Sequence, residues 1–210
     1  IYKGMPGASM LAEVLLQKYE YHIPFYRQVK QLEHLGVKLS RNTLDGWFRP
    51  VCELLRPLYL ELRKKVLAAD YLQIDETTLP VINYERHKAA KGYIWIVRAA
   101  VPRLLFFHYD NGSRSQKVAV RLLKNFKGYL QSDGHPIYDA FEDGEDVCLC
   151  GCLAHIRRHI ELCKEENLEY AMQGLKFIQD MYNVEYMADK QELPYEGRAE
   201  LRQRLSLIHI

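Results

Sequence analysis

Two acidic residues stand where they can do chemistry: Asp75, which follows the run Tyr71-Leu72-Gln73-Ile74, and Asp133, which follows Gly128-Tyr129-Leu130-Gln131-Ser132. Both runs read as short β-strands. Each Asp is therefore expected at the C-terminal tip of a strand, where neighbouring strands of a helix-covered sheet converge and ligand sites gather. Carboxylates held close together repel, and a hard cation is their natural partner. Mg²⁺ (or Mn²⁺) takes oxygen ligands and keeps waters or phosphate oxygens in its remaining positions. A pair of such ions activates an attacking oxygen and stabilises the leaving oxygen of a phosphodiester. Asp75 and Asp133 are thus candidate catalytic residues and candidate metal ligands. Strand-end Asp residues also cap turns, and Asp133-Gly134 is a good turn dipeptide, so a structural reading stands beside the catalytic one. Glu76 points to the opposite face if its strand continues; from the residues alone it is an equal candidate for the ligand.

Four of the five cysteines fall between Cys148 and Cys163. Cys148, Cys150, Cys152 and His155 resemble a zinc set, but structural zinc sites use spacers of two to four residues that let the chain wrap the metal. Alternation along a strand instead puts the three cysteines on one face, where they are expected to pack as small hydrophobes. His155, Arg157 and Arg158 can carry positive charge to DNA phosphates or to the metal site, and phosphates suit the planar fork of Arg. A solvated basic helix face has the same pattern.

The elements that must position these residues divide in two. Residues 8–66 are helical by period. Ser9 is expected to cap a helix bearing Leu11, Val14, Leu15 and Tyr19, and Pro24 opens a second through Tyr26, Val29, Leu32 and Leu35. Gly36 ends it in the left-handed position. Ser40 then caps a third helix with Thr43, Leu44 and Trp47, closed by Pro50. A fourth, Glu53 to Leu67, carries Leu54, Leu55, Leu58, Leu62 and Val66 on one stripe. Helix, Gly turn and capped helix form the helix-turn-helix layout, in which Ser40, Arg41, Asn42 and Thr43 would contact DNA; an ordinary helical hairpin fits the pattern too. From Tyr71 the period changes. Gly92–Ala100 and Leu104–Tyr109 read as a hairpin, Ser115 starts a helix, and Gly128–Ser132 and Val147–Leu149 are strands. The chain then looks helical from Cys152 to about Met187, with a polar, irregular end. The expectation is an α/β chain: a helical, helix-turn-helix-like DNA-binding segment over 1–68, then a mixed sheet flanked by helices over 69–210. Strand-Asp, hairpin, helix, strand-Asp, strand, helix is the ribonuclease H-like order.

Several ordered blocks resemble one family. They are Lys18-Tyr19, Ile23-Pro24-Phe25-Tyr26-Arg27-Gln28, Ser40-Arg41-Asn42-Thr43-Leu44 with Trp47, Leu55-Arg56-Pro57-Leu58, Asp75-Glu76-Thr77, Tyr129 to Gly134, and Gly151 to Arg158. The family is the transposases of the insertion-sequence-66 type, and the resemblance covers nearly the whole chain. It implies DDE transposition chemistry on a ribonuclease H-like core, with Asp75 and Asp133 as the first and second metal-binding acids. It also implies double-stranded DNA (element ends and target) as partner, a homo-oligomer in the active complex, and a cytoplasmic, nucleoid-associated bacterial setting. His155, Arg157 and Arg158 match a segment near that active site. The family's third acid is a Glu in an Asn-Asn-x-x-Glu-Arg block, and this sequence contains no Asn-Asn pair. The chain therefore reads as an internal, C-terminally incomplete fragment, expected to be inactive alone, and Ser206 to Ile210 are a candidate stretch of foreign sequence. Leu153 stands where the family usually has Trp, and His135 where it often has Tyr.

Bulk properties agree. The net charge is +2, but residues 1–70 hold eleven Lys/Arg against seven Asp/Glu, so the basic surplus lies where a phosphate backbone could be gripped. No apolar run approaches the roughly 20 residues of a membrane span, and clustered cysteines fit a reducing compartment. Beside the enzyme stands a second class, a non-catalytic helix-turn-helix DNA-binding protein.

Overall fold

The computed structural model describes residues 6–83, 88–142 and 144–205; the expectation about residues 206–210 lies outside them. The chain forms two compact units, 1–65 and 66–210.

The first unit is helical. α1 (Ala8–Tyr19), α2 (Phe25–His34) and α3 (Arg41–Leu67) build it. Its core is Val14, Phe25 and Leu44, with Trp47 and Phe48 packed against it. Pro24 sets the phase of α2, turning Phe25 and Gln28 inward and leaving Tyr26 and Leu35 exposed, contrary to the expected stripe. The buried Gln28 amide is satisfied by the carbonyls of Val14 and Ile23 (3.2 and 2.9 Å), so its burial costs little. Ser9 does not cap α1; Gly7 holds that position.

Gly36 takes the expected left-handed backbone, φ +82°. Ser40 caps α3 as the sequence indicates, its Oγ accepting the Thr43 N–H at 3.1 Å. Removing it with Ser40→Ala is expected to cost about 1 kcal/mol, read as a lower denaturant midpoint for the helical signal; an unchanged midpoint would show that the hydroxyl is dispensable. The two helices expected on either side of Pro50 are one, with Pro50 and Pro57 inside α3. A proline deletes one hydrogen bond and clashes with one carbonyl, a penalty that apolar anchors along the helix (Leu44, Val51 and Val66, all buried) can offset. The expected Leu stripe fails: Leu54 and Leu58 are exposed.

The second unit is a five-stranded mixed sheet with helices. β1 (Tyr71–Asn83), β2 (Lys88–Ala99) and β3 (Leu104–Tyr109) are antiparallel, while β4 (Gly128–Ser132) and β5 (Val147–Gly151) are parallel to β1, in the order β3-β2-β1-β4-β5. One face buries Leu72, Ile74, Trp95, Val97, Phe106 and Leu130; α4 (Gln116–Leu122) contributes Val118, Ala119 and Leu122 to the same core set. Gly128 starts β4 at φ +133°, and a side chain there would collide with the Asp70 carbonyl. That close approach lets the Tyr129 N–H bond Asp70 at 2.8 Å and sets the β1–β4 register.

β1 does not end at Asp75, as the short apolar run suggested. It continues to Asn83 because Thr77, Thr78, Val81 and Ile82 pair with β2, residues suited to a half-covered ribbon. Pro80 is tolerated there because β1 has no β4 partner beyond Gln73, so this stretch lies at a sheet edge. The irregular C-terminal end is also corrected. After α5 (Leu153–Leu162) and α6 (Leu168–Lys190), α7 (Tyr195–Leu205) is a helix. Its Leu201 is buried with Val184 and Ala188, and Arg198 and Arg202 pair with Asp189 and Glu185 of α6. The polar sequence hid a single apolar anchor and a set of ion pairs.

Candidate active site

The parallel pairing of β1 with β4 runs Tyr71↔Tyr129, Leu72↔Leu130 and Gln73↔Gln131. Asp75 and Asp133 each lie two residues past the last pair, so one register puts the two acids at equivalent positions of neighbouring strands. Asp133 follows the tip of its strand, whereas Asp75 sits within β1 where its β4 partner stops.

Their surroundings match in form. Asp75 is half exposed; its Oδ1 accepts the Glu76 N–H at 2.8 Å, and its Oδ2 lies 3.8 Å from His155 Nε2. Asp133 is more enclosed; its Oδ1 accepts the His135 N–H at 3.0 Å, and its Oδ2 lies 3.8 Å from Arg114 Nη2. Each carboxylate has one oxygen held by backbone and the other loosely facing a basic side chain. Oxygens free of short hydrogen bonds suit a hard cation, which typically takes one or two protein carboxylates and completes its shell with water and phosphate. Among the described residues no three His, Cys, Asp or Glu side chains converge as a metal set.

Glu76 turns to the opposite face, where its side chain is fully buried. It accepts hydrogen bonds from Arg114 Nε (2.5 Å) and the Tyr138 hydroxyl (2.6 Å). Burial, then the Glu76 hydrogen bond and charge, push the Tyr138 phenol up, so it stays protonated. Burial opposes the Arg114 charge, but Glu76 and Asp133 outweigh it and hold the guanidinium above its ordinary value. Trp95 stacks edge-on against Tyr138 (6.5 Å), and its indole N–H bonds the Ser113 carbonyl at 3.0 Å, steadying the turn that carries Arg114. Arg114 and Tyr138 escaped the sequence reading because neither lies in a periodic run; the signal was the buried partner that Glu76 would need if β1 ran on.

A cleft of about 280 Å³ opens beside Asp75, lined by Gln73, Ile96, Arg98, Gln131, Cys152 and His155 among others. The Nδ1 of His155 is buried with no hydrogen-bond partner among the described residues. His155 thus stands beside Asp75 at the edge of this cleft. Arg157 and Arg158 are exposed on α5, and Arg157 is held by Glu161 at 3.1 and 3.3 Å. Ser40, Arg41 and Asn42 are exposed and Thr43 is half buried; Arg41 faces Asp45 at 3.6 Å. His135 uses Nδ1 to accept the Ile137 N–H at 3.2 Å, capping the 3-10 turn Pro136–Phe141 that carries Tyr138. The cysteines are not core residues: Cys148 is exposed and Cys150 and Cys152 are half buried. β5 is an edge strand, so less of it is covered than alternation assumed.

Residues 3–209 match the sequence profile of the transposase IS66 family. The chain belongs to that family. The resemblance carried by the ordered blocks is therefore borne out. Relatives of this IS66-family chain include three proteins of Sinorhizobium fredii. Uncharacterized protein y4jD is 27% identical over 87% of this chain and 38% of its own length. Uncharacterized protein y4qI is 28% identical over 75% of this chain and 32% of its own, and uncharacterized protein y4hP 29% over 74% and 30%. The chain spans about a third of the length of these relatives. No described helix is long and apolar enough to cross a membrane.

Proposed function

We propose that this IS66-family chain carries part of the catalytic core of a DDE-type transposase, which cleaves and joins DNA strands at insertion-sequence ends. The observation that carries the reading is the register of β1 and β4, with Asp75 and Asp133 at equivalent positions. The element order supports it: strand with Asp, hairpin, helix, strand with Asp, strand, helix, the ribonuclease H-like arrangement. Asp75 and Asp133 would hold Mg²⁺ or Mn²⁺, which when bound supplies Lewis-acid stabilisation to the attacking and leaving oxygens of a phosphodiester. The residues of the chain do the positioning. Backbone N–H groups orient one oxygen of each acid, Arg114 and Glu76 brace Asp133 from the buried side, and His155 stands against Asp75. The third acid belongs to a segment that these residues do not match.

The helical unit is proposed to bind duplex DNA through the start of α3, with Ser40, Arg41, Asn42 and Thr43 at the groove. Arg157 and Arg158 are proposed to meet phosphates. Assembly as a homo-oligomer on DNA in the bacterial cytoplasm completes the reading. The test is paired binding. Duplex DNA should bind with steep salt dependence, from counterion release, and weaken with Arg41→Ala. Mn²⁺ should bind weakly and be lost with Asp75→Asn or Asp133→Asn. Mn²⁺ binding indifferent to both aspartates would leave only a DNA-binding module.

A further inference from the structure

One wall of the cleft beside Asp75 is tied into a row of side-chain hydrogen bonds. Arg98 Nη1 donates to Gln73 Oε1 at 3.0 Å, Gln73 Nε2 donates to Gln131 Oε1 at 2.7 Å, and the Tyr71 hydroxyl donates to that same oxygen at 2.7 Å. This row fixes both amides, because turning either over would set donor against donor. Among the described residues, the Gln131 amide nitrogen and the remaining Arg98 N–H groups take no part in this row, so the edge keeps donors to offer. Ile96 and Cys152 also line the cleft and make it partly apolar, and Asp75 and His155 border it.

A space of about 280 Å³ with apolar walls and a donor-bearing edge suits a flat ring that carries acceptors on its own edge. A nucleobase outside the helical stack has that form, and enzymes that take in such a base hold it by edge hydrogen bonds and apolar contact. A phosphate would put an anion against the apolar walls, which is unfavourable. We infer that the cleft seats one unpaired base of the DNA strand adjoining the phosphodiester at Asp75. The inference rests on Asp75 belonging to a DNA-processing site.

The test compares three DNAs on the full chain by fluorescence anisotropy: a blunt duplex, that duplex with a short single-stranded overhang, and the same overhang made abasic. A seated base should make the overhang duplex bind about tenfold tighter than the blunt one, in line with contacts to a single base. The abasic overhang keeps its phosphates and should lose that advantage. Filling the cleft with Ile96→Trp, or removing the donor with Gln131→Ala, should abolish the advantage and leave blunt-duplex binding unchanged. Equal binding of all three DNAs, equal binding of abasic and intact overhangs, or an advantage that survives both substitutions would each overturn the cleft assignment alone. Failure to bind any of the three would overturn the transposase reading with it.

Discussion

Arg114→Gln is expected to destabilise the sheet unit by about 3–5 kcal/mol, because it strands the buried Glu76 carboxylate without its cation. The Glu76 side chain is fully buried and Arg114 about one quarter exposed, at 28%, so solvent cannot easily replace the guanidinium. Tyr138 would still donate one hydrogen bond, too little to solvate a charge in that position. For a unit of this size the loss corresponds to a fall in Tm of roughly 10 °C. The double change Glu76→Gln with Arg114→Gln removes the charge together with its partner, and should recover most of the stability, since neutralising a whole buried pair is often close to neutral. Thermal unfolding of the single and double variants decides it. A double variant no more stable than Arg114→Gln would mean that Arg114 works through packing on Tyr93, whose ring centre lies 5.4 Å away, and not through charge.

That network marks where the sequence stopped being legible. The strands near the acids were readable because Leu104–Tyr109 and Gly128–Ser132 are apolar runs bounded by turn residues, and the structure has both with those bounds. The capped start of α3 was readable from Ser40 and Gly36, whose roles follow from local chemistry. β1 was not, because its second half is held by β2 across the hairpin, a contact with no local trace. Once β1 ran on, Glu76 was committed to the buried face, and a buried carboxylate demands partners that only tertiary structure supplies. α7 failed in the other direction: its polarity reads as a loose end, yet Glu185 is drawn below its ordinary pKa by the Arg202 hydrogen bond, and against its partial burial by the Arg202 and Arg198 charges. The prolines of α3 show the limit of local rules where tertiary anchors lie on both sides of a breaker.

In a chain of the relatives' full length, Asp75→Asn and Asp133→Asn are each expected to lower Mn²⁺-dependent DNA cleavage by at least about a thousandfold. Each change would remove one of the two proposed carboxylate ligands of a cation worth several kcal/mol at the transition state, and each 1.4 kcal/mol is a factor of about ten. The fold should not suffer. Asn keeps an Oδ1 to accept the Glu76 N–H at position 75 and the His135 N–H at position 133. Neutralising one of two like charges should hold stability level or raise it slightly. Lost cleavage with an unchanged Tm is therefore the expected pattern; cleavage that survives Asp75→Asn would remove Asp75 from the site. The 210-residue chain alone is expected to bind DNA without cutting it, since the two proposed acids would leave such a metal site one ligand short. Neither Glu161, paired with Arg157 and with Lys164 at 3.6 Å, nor Glu165, in the 3-10 turn after α5, completes a three-ligand metal set with the two aspartates among the described residues. Cleavage by the 210-residue chain that disappears with Glu161→Gln or Glu165→Gln would place the third acid inside it, and would reverse the proposal that this ligand comes from elsewhere in the transposase.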